Sequence, residues 1–441
     1  MGSESMNKVT REEALAYHVG GKIGMRLTRD LVGVRDLCLA YTPGVAEPVK
    51  EIGRCPESIF QYTSRGNLVA VVTDGSAVLG LGDMGAEAAI PVMEGKAALF
   101  KAFGHVEAWP APLNHCRIDG ANTGPTDPPR VIDMVCAIAP MYGGINLEDI
   151  AAPACFEIED RLDECLDIPV FHDDQWGTAV ITLAAVENYG RLCERALGEM
   201  DVVVNGAGAA GIRIADMLKA AGVRSLVLCD SRGVVRADRT DLNPLKRAHA
   251  VETSASTVGE ALRGKHVFVG VSVKDAVAPE DIAGMASYPA VFAMANPDPE
   301  VRPEAVAERM GRREFVMATG RSDYPNQINN VLGFPFLFRG ALDVRAKRIN
   351  VEMKLAAASA LAALAREPVS DYVHSLYPDE KELTFGPHCL IPKPFDRRLL
   401  VEVSHAVATA AVASGTGKKA LLDGLRERLV QRQEPSIADF D

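Results

Sequence analysis

The sequence predicts an α/β protein of two units followed by a helical portion, and three observations carry that prediction. From residue 200 onward short apolar runs alternate with amphipathic stretches: DVVVN, SLVLCD, HVFVGVS, AVFAMANP and FVMATGRSD, most of them closing on Gly, Asp, Ser or Asn. Runs of this kind suit buried strands of a parallel sheet with functional loops at their carboxyl ends. The N-terminal half has strand signals of its own, NLVAVVT at residues 67–73 and IPVF at 168–171, so a second sheet is expected there. Past residue 330 the stretch INVEMKLAAASALAALARE has helical spacing and no strand signal, and it is expected to pack back on the first unit. The chain of 441 residues, too long for one ordinary core, is accordingly divided into an N-terminal α/β domain (1–190), a doubly wound domain (191–330) and a C-terminal helical portion (331–441).

Composition narrows the partners. The net charge of −12 argues against a nucleic-acid partner, because phosphate binding needs a basic face that no stretch supplies. No apolar run is long enough to cross a bilayer. The N-terminal MGSESMNKVT lacks the charged and apolar regions of a secretion signal, so a cytoplasmic protein is expected, with MGSES reading as a leader before a start at Met6. The nine cysteines are scattered without a CxxC pair, which suits reduced thiols better than zinc ligands or disulfides. Residues 115–130, HCRIDGANTGPTDPPR, read as a loop insertion dense in Gly, Pro, Asn and Asp.

The glycine-rich turn is the first motif with chemistry. DVVVNGAGAAG puts Gly206, Gly208 and Gly211 in GxGxxG spacing, with Ala209 inside the turn, between a predicted strand and a predicted helix. Glycines there permit a tight turn and let backbone approach a pyrophosphate at a helix N-terminus. A tight turn with no ligand is the alternative; the strand-turn-helix context and Asp230, roughly 20 residues on, favour a Rossmann-like dinucleotide-binding domain. Asp230 suits a ribose 2′-hydroxyl and NAD, whereas Arg232 suits a 2′-phosphate and NADP or is an ordinary exposed arginine, so the sequence leaves the cofactor open. Asn296 in ANPDPE, and Asn329 and Asn330 in NQINN, either face the same crevice or merely form turns.

Carboxylates form the second pattern. VFHDDQWGTA sets Asp173 and Asp174 directly after an apolar strand, and Glu148 and Asp149 stand together in GGINLEDI. Glu148, Asp149 and Asp174, gathered from strand or loop ends, repel one another unless a cation or a proton compensates. Oxygen ligands of this type suit Mg²⁺ or Mn²⁺ and disfavour zinc. The competing readings are a helix N-cap for Asp174 and a solvated acidic loop for the other two. Lys96, in PVMEGK, has apolar flanks that suggest a partly dry ammonium of lowered pKa, able to act as base or proton donor. Tyr41, in YTPGVAEPV, lies at a turn that could aim a phenol into a cleft. By themselves, a helix lysine is usually exposed and a tyrosine usually core.

Taken in order, YTPGVAEPV, GLGDMG with PVMEGK, GGINLEDI, FHDDQ with GTA one residue on, GAGAAG, ANPDPE and ATGRSDYPNQINNVLGFP resemble the malic enzymes, in particular the shorter bacterial type, from about residue 17 to about residue 398. The resemblance implies oxidative decarboxylation of L-malate to pyruvate and CO₂ with NAD or NADP and a divalent metal, Mg²⁺ or Mn²⁺. By motif, Tyr41 matches the general acid and Lys96 the general base. Glu148, Asp149 and Asp174 match the metal ligands, with Asp173 orienting a ligand or assisting substrate. Asn296 and Asn330 match substrate- and nicotinamide-side asparagines. A homodimer or a multiple of dimers is implied, with Tyr41 close to a subunit boundary. Two departures stand out: Trp176 follows HDDQ where the bacterial type usually carries His, and residues 115–130 are longer than its pattern. They suggest a substituted malate or another β-carboxy-2-hydroxy acid as an alternative substrate. A non-catalytic dinucleotide sensor is the alternative from another class.

Overall fold

In the computed structural model, which describes residues 9–78, 80–321, 323–378, 380 and 383–433, the run LVAVVT forms β1 (Leu68–Thr73). The MGSES leader lies outside the described residues. With β2 (Glu107–Pro112), β3 (Gly144–Leu147) and β4 (Val170–His172), β1 builds a four-stranded sheet in the order β2-β1-β3-β4, every pair parallel. Val69, Ala70, Val71 and Val72 are buried, as expected for a central strand covered on both faces. The helices Ala86–Gly104, Pro128–Ile138 and Ala154–Cys165 make the crossovers that parallel pairing requires.

The second sheet follows the helix Thr178–Leu192. It contains β5 (Asp201–Asn205), β6 (Ser225–Asp230), β7 (Gly233–Val234), β8 (Val267–Gly270), β9 (Ala290–Ala293) and β10 (Val316–Thr319), in the order β10-β9-β8-β5-β6-β7, with β7 alone antiparallel. β5 has β6 on one side and β8 on the other. The winding therefore reverses at β5, and the crevice at the carboxyl ends of β5 and β8 is the expected ligand position of a doubly wound sheet.

The C-terminal helices return to the first sheet. Phe334 and Phe338 of the helix Phe334–Asp343 meet Phe100 with ring centroids 4.7 and 5.3 Å apart, and Phe338 lies 5.9 Å from Phe171 of β4. Asn188 donates to the carbonyls of Ala362 (3.0 Å) and Leu390 (2.6 Å), tying the helix between the sheets to the C-terminal portion. One apolar cluster accordingly runs through Val69, Val202 and Phe334, so both sheets and the C-terminal helices share a core.

The N-terminal segment differs from all of this. Its helices Arg11–His18, Val34–Ala40 and Ala46–Arg54 bury no residue, and Tyr17, Val19, Met25, Val32 and Val34 stand exposed. Among the described residues no helix is long and apolar enough to cross a membrane.

Candidate active site

The first sheet delivers its chemistry at one edge. β1 runs into Asp74, β3 into Glu148 and Asp149, and β4 into Asp173 and Asp174, because parallel strands place all their carboxyl ends together. The stretch 173–177 is a single wide π-helical turn before the helix Thr178–Leu192. Gly177 is required there: a Cβ on it would fall 2.0 Å from Asp173 Oδ1. Lys96 comes from the middle of the helix Ala86–Gly104, which crosses over between β1 and β2.

Lys96 Nζ lies 2.6 Å from Asp173 Oδ2 and 2.9 Å from Glu148 Oε1, with its charge 4.4 Å from the centre of the Phe334 ring. Here the expectation of a lowered lysine pKa is corrected. Burial pulls it down, but Asp173, Glu148 and Asp174 together outweigh burial and hold it well above the ordinary lysine value. Burial likewise raises the Glu148 carboxyl above its ordinary range, with the neighbouring aspartates adding to it and Lys96 opposing. Asp173 is raised by burial too. Asn330 donates to Asp173 Oδ2 (3.2 Å) and to the Asp173 carbonyl (3.3 Å) and accepts from Thr178 (3.0 Å), so its amide fixes the aspartate that holds Lys96.

Glu148, Asp149 and Asp174 each offer a carboxylate oxygen, and the three oxygens lie within 4.8 Å of one another. The backbone N–H of Asp149 donates to Asp174 Oδ2 (2.8 Å), and Asn146 donates to Glu148 Oε2 (2.9 Å). Asp149 takes a left-handed conformation, φ 53°, uncommon for a residue with a side chain and frequent at functional sites. Asp174 is therefore held by the β3 turn and not spent on a helix N-cap. With Asp173 included, four carboxylates gather at this edge and Lys96 pairs with two of them, and Asp173 Oδ1 is buried with no hydrogen-bond partner among the described residues. An all-oxygen donor set with excess negative charge fits a hard divalent cation.

Glu159, Arg213, Lys354 and Arg117 carried no signal of their own in sequence, and they explain the two departures at Trp176 and residues 115–130. Trp176 Nε1 donates to Glu159 Oε2 (3.0 Å), while Glu159 Oε1 accepts from the His172 backbone N–H (3.0 Å). Arg213 stacks 4.6 Å and Lys354 3.4 Å from the Trp176 ring, and burial lowers the Lys354 pKa to about 8. The indole thus braces the 173–177 turn against a neighbouring helix, and Glu159 clamps both ends of that turn. Residues 115–130 are tied into the site floor: Arg117, 1% exposed, bonds Asp74 and donates to Asp83 Oδ1 (2.9 Å), and Gly124 N–H reaches Asp83 Oδ2 (2.6 Å). The burial of Arg117 is not legible in sequence, where the loop shows only its Gly, Pro, Asn and Asp content.

The glycine turn has the geometry its spacing implies. Gly206 has φ 118°, a Cβ there would meet the Val271 carbonyl at 2.4 Å, and a Cβ on Gly211 would meet the Gly206 carbonyl at 1.6 Å. The helix Ala209–Ala220 starts directly behind Gly208. Asp230 is occupied: Arg239 pairs with it at 2.9 and 3.0 Å, Lys246 reaches it at 2.7 Å, and the Arg232 N–H donates at 2.9 Å. Burial would raise the Asp230 carboxyl, but Arg239 and Lys246 pull it down to about 2. The Arg232 guanidinium is 71% exposed and paired with Asp241. Asn296, exposed at the end of β9, has its carbonyl 3.4 Å from where a Cβ on Gly80 would lie, so the GLGDMG turn of the first sheet meets the crevice of the second. Tyr41 is not brought to this site: it is 68% exposed, and its hydroxyl makes no hydrogen bond among the described residues.

Comparison with known proteins gives a family. The description "Malic enzyme, N-terminal domain" matches residues 22–163, and "Malic enzyme, NAD binding domain" matches residues 176–384. The chain is 50% identical over 419 residues to an NADP-dependent malic enzyme of Halomonas elongata, covering 94% of this chain and 96% of that protein. It is 48% identical over 441 residues to a probable NADP-dependent malic enzyme of Rickettsia prowazekii, covering 98% of this chain and 56% of that protein. The chain thus spans about half the length of some of its relatives. Among solved structures, a malic enzyme from Pyrococcus horikoshii superposes with a TM-score of 0.83 at 40% identity, over 97% of this chain and 98% of that one.

Proposed function

The chain belongs to the malic enzyme family, and from that membership we propose that it oxidatively decarboxylates L-malate to pyruvate and CO₂, with Mg²⁺ or Mn²⁺ and with NADP ahead of NAD. The observation that carries the reading is Lys96, held between Asp173 and Glu148 beside the three-carboxylate group. When bound, the dinucleotide would supply a hydride acceptor and the divalent cation a Lewis acid. Glu148, Asp149 and Asp174 would hold the cation, and the Gly206 turn with the helix behind Gly208 would hold the pyrophosphate.

Lys96 Nζ takes the proton of the C2 hydroxyl. Its own proton is held by the carboxylate field, so positive charge on those carboxylates weakens that hold and makes the lysine competent as a base. Asn330 and Asp173 keep the Nζ in place throughout. The proton that C3 takes up as the enol becomes pyruvate is assigned to Tyr41, which stands exposed outside this site in the single chain and would have to be carried to it when a second copy covers the N-terminal segment. Neither departure from the bacterial pattern calls for a substituted malate, since Trp176 is engaged by Glu159, Arg213 and Lys354 and residues 115–130 are tied to Asp74 and Asp83. A base and a cation group side by side also exceed what a dinucleotide sensor needs. The test is reduction of NADP and, separately, NAD by L-malate with Mn²⁺ and then with EDTA. Metal-dependent reduction with pyruvate as product is expected, and no reduction of either dinucleotide by folded protein would overturn the reading.

The preference for NADP rests on Asp230. With both carboxylate oxygens taken by Arg239 and Lys246, it is poorly placed to receive a ribose hydroxyl, while Arg232, Arg239 and Lys246 together offer cations to a 2′-phosphate. Each charge-assisted bond is worth about 1.5–3 kcal/mol, so R232A combined with K246A lowers kcat/KM for NADP by about 10²-fold and leaves the value for NAD nearly unchanged. An equal loss for both dinucleotides refutes the assignment.

Two further parts of the reading concern assembly and location. The exposed apolar residues of the N-terminal segment, Tyr41 among them, support a homodimer in which a second copy covers that segment and places Tyr41 near a subunit boundary. Light scattering is expected to give twice the chain mass, and a monomer at micromolar concentration sinks the proposal. The nine free cysteines fit a reducing, cytoplasmic location. The division of the chain near residues 190 and 330 accords with the two sheets and the returning helices.

A further inference from the structure

Away from the malate site, a cavity of about 390 Å³ opens between the segment before β1 and the C-terminal helices, lined by four arginines, Arg339, Arg345, Arg428 and Arg432, and one carboxylate, Asp343. Asp343 is already engaged, by Arg339 at 2.6 Å and by Arg432 at 3.1 Å. Among the described residues Arg428 donates to the backbone carbonyls of Asp423 (2.9 Å) and Leu421 (2.7 Å) and pairs with no carboxylate. Arg345 reaches Glu57 at 3.3 Å, but Glu57 also pairs with Lys418. Arg339 is 2% exposed, and its Nε has no hydrogen-bond partner among the described residues. Four guanidinium groups around a concavity with one shared carboxylate leave a surplus of positive charge. A guanidinium fork matches the planar edges of carboxylates and phosphates.

We propose that this cavity binds a small polyvalent oxyanion, a phosphate ester or a tricarboxylate, and that the anion acts as an effector of the malate site. The path between the two is short and rigid. Arg339 and Asp343 lie on the helix Phe334–Asp343, whose first residue sits 4.4 Å from the Lys96 charge and packs on Phe100 of the Lys96 helix. Asn67, which accepts from Arg339, directly precedes β1, the strand that ends at Asp74. An anion that draws the arginines together therefore bears on the helix whose first residue packs against Lys96 and on the strand that leads to Asp74 in the site floor. The effector role rests on the malate reading; the binding site itself does not.

Calorimetric titration of the full chain, free of metal and at constant ionic strength, with pyrophosphate and separately with tricarballylate tests the site. Saturable binding of at least one is expected, and the stronger of the two tells phosphate from carboxylate as the source. R345Q combined with R428Q, two arginines outside the malate site, is expected to weaken that binding at least tenfold while leaving the KM for malate in the absence of anion unchanged. No saturable binding of either probe, or equal binding by the double variant, overturns the site. In turnover assays with metal in excess, the bound anion is expected to shift the KM for malate at least threefold in the unaltered chain and not in the variant. An unchanged KM under saturating anion overturns the effector role. Calorimetry needs no turnover, so failure there is separable from failure of the malate reading.

Discussion

Replacing Lys96 by alanine lowers kcat for malate oxidation by about 10²–10⁴-fold, the usual span for losing a positioned general base. Alanine also leaves Asp173 and Glu148 buried without their cation, a defect of about 3–5 kcal/mol that could confuse a loss of chemistry with a loss of fold. K96R separates the two. A guanidinium keeps the charge between the carboxylates but does not give up its proton near neutrality, so K96R is expected to stay folded, bind the dinucleotide with nearly unaltered affinity and turn over as poorly as K96A. Circular dichroism, dinucleotide titration and initial rates on the same preparation check this. Turnover of K96R within a few-fold of the unaltered chain would remove Lys96 from the base role.

Asp174→Asn weakens Mn²⁺ binding by about 10²-fold or more, since substitutions one shell further out already cost 10–100-fold. The substitution retains an oxygen able to accept from the Asp149 N–H, so the 2.8 Å bond that joins the two strand ends survives and the fold is preserved. What is lost is one negative charge from a group that a cation must neutralise. Metal titration read by Mn²⁺ paramagnetic relaxation measures the affinity directly, and the activity of D174N is expected to recover in part at high metal. A metal affinity equal to that of the unaltered chain would take Asp174 out of the ligand set.

Much of the architecture was legible because buried parallel strands announce themselves as short apolar runs. The strands of the second sheet, from DVVVN to the VMAT of β10, lie where their patterns predicted. β2 carries no such signal: EAWPAP is an edge strand, only partly buried, and two prolines are tolerated there because the N–H groups on an open edge need no partner. β3 carries little signal either, because its GINL lies among glycines and polar residues and its apolar run is broken by Asn146. β4 begins at Val170, two residues into the run IPVF, and extends to His172, since Pro169 precedes the paired segment.

By itself the sequence determined the acidic pair after β4, the glycine turn after β5 and the lysine in a helix behind β1, and it left Glu148 and Asp149 at a strand or loop end. Local pattern settles these, because strand length, glycine spacing and apolar periodicity are properties of neighbours along the chain. Only the tertiary structure decided the charge state of Lys96, whose apolar neighbours in sequence suggested a lowered pKa while Asp173 and Glu148, 77 and 52 positions away, hold it high. Tertiary structure also decided that Asp230 is occupied by Arg239 and Lys246, that Trp176 is braced by Glu159, Arg213 and Lys354, and that Tyr41 faces solvent. The physical reason is common to all four: electrostatic fields and burial act through space over a few ångströms, and the groups that set them lie beyond the reach of local sequence pattern, on other elements of the fold.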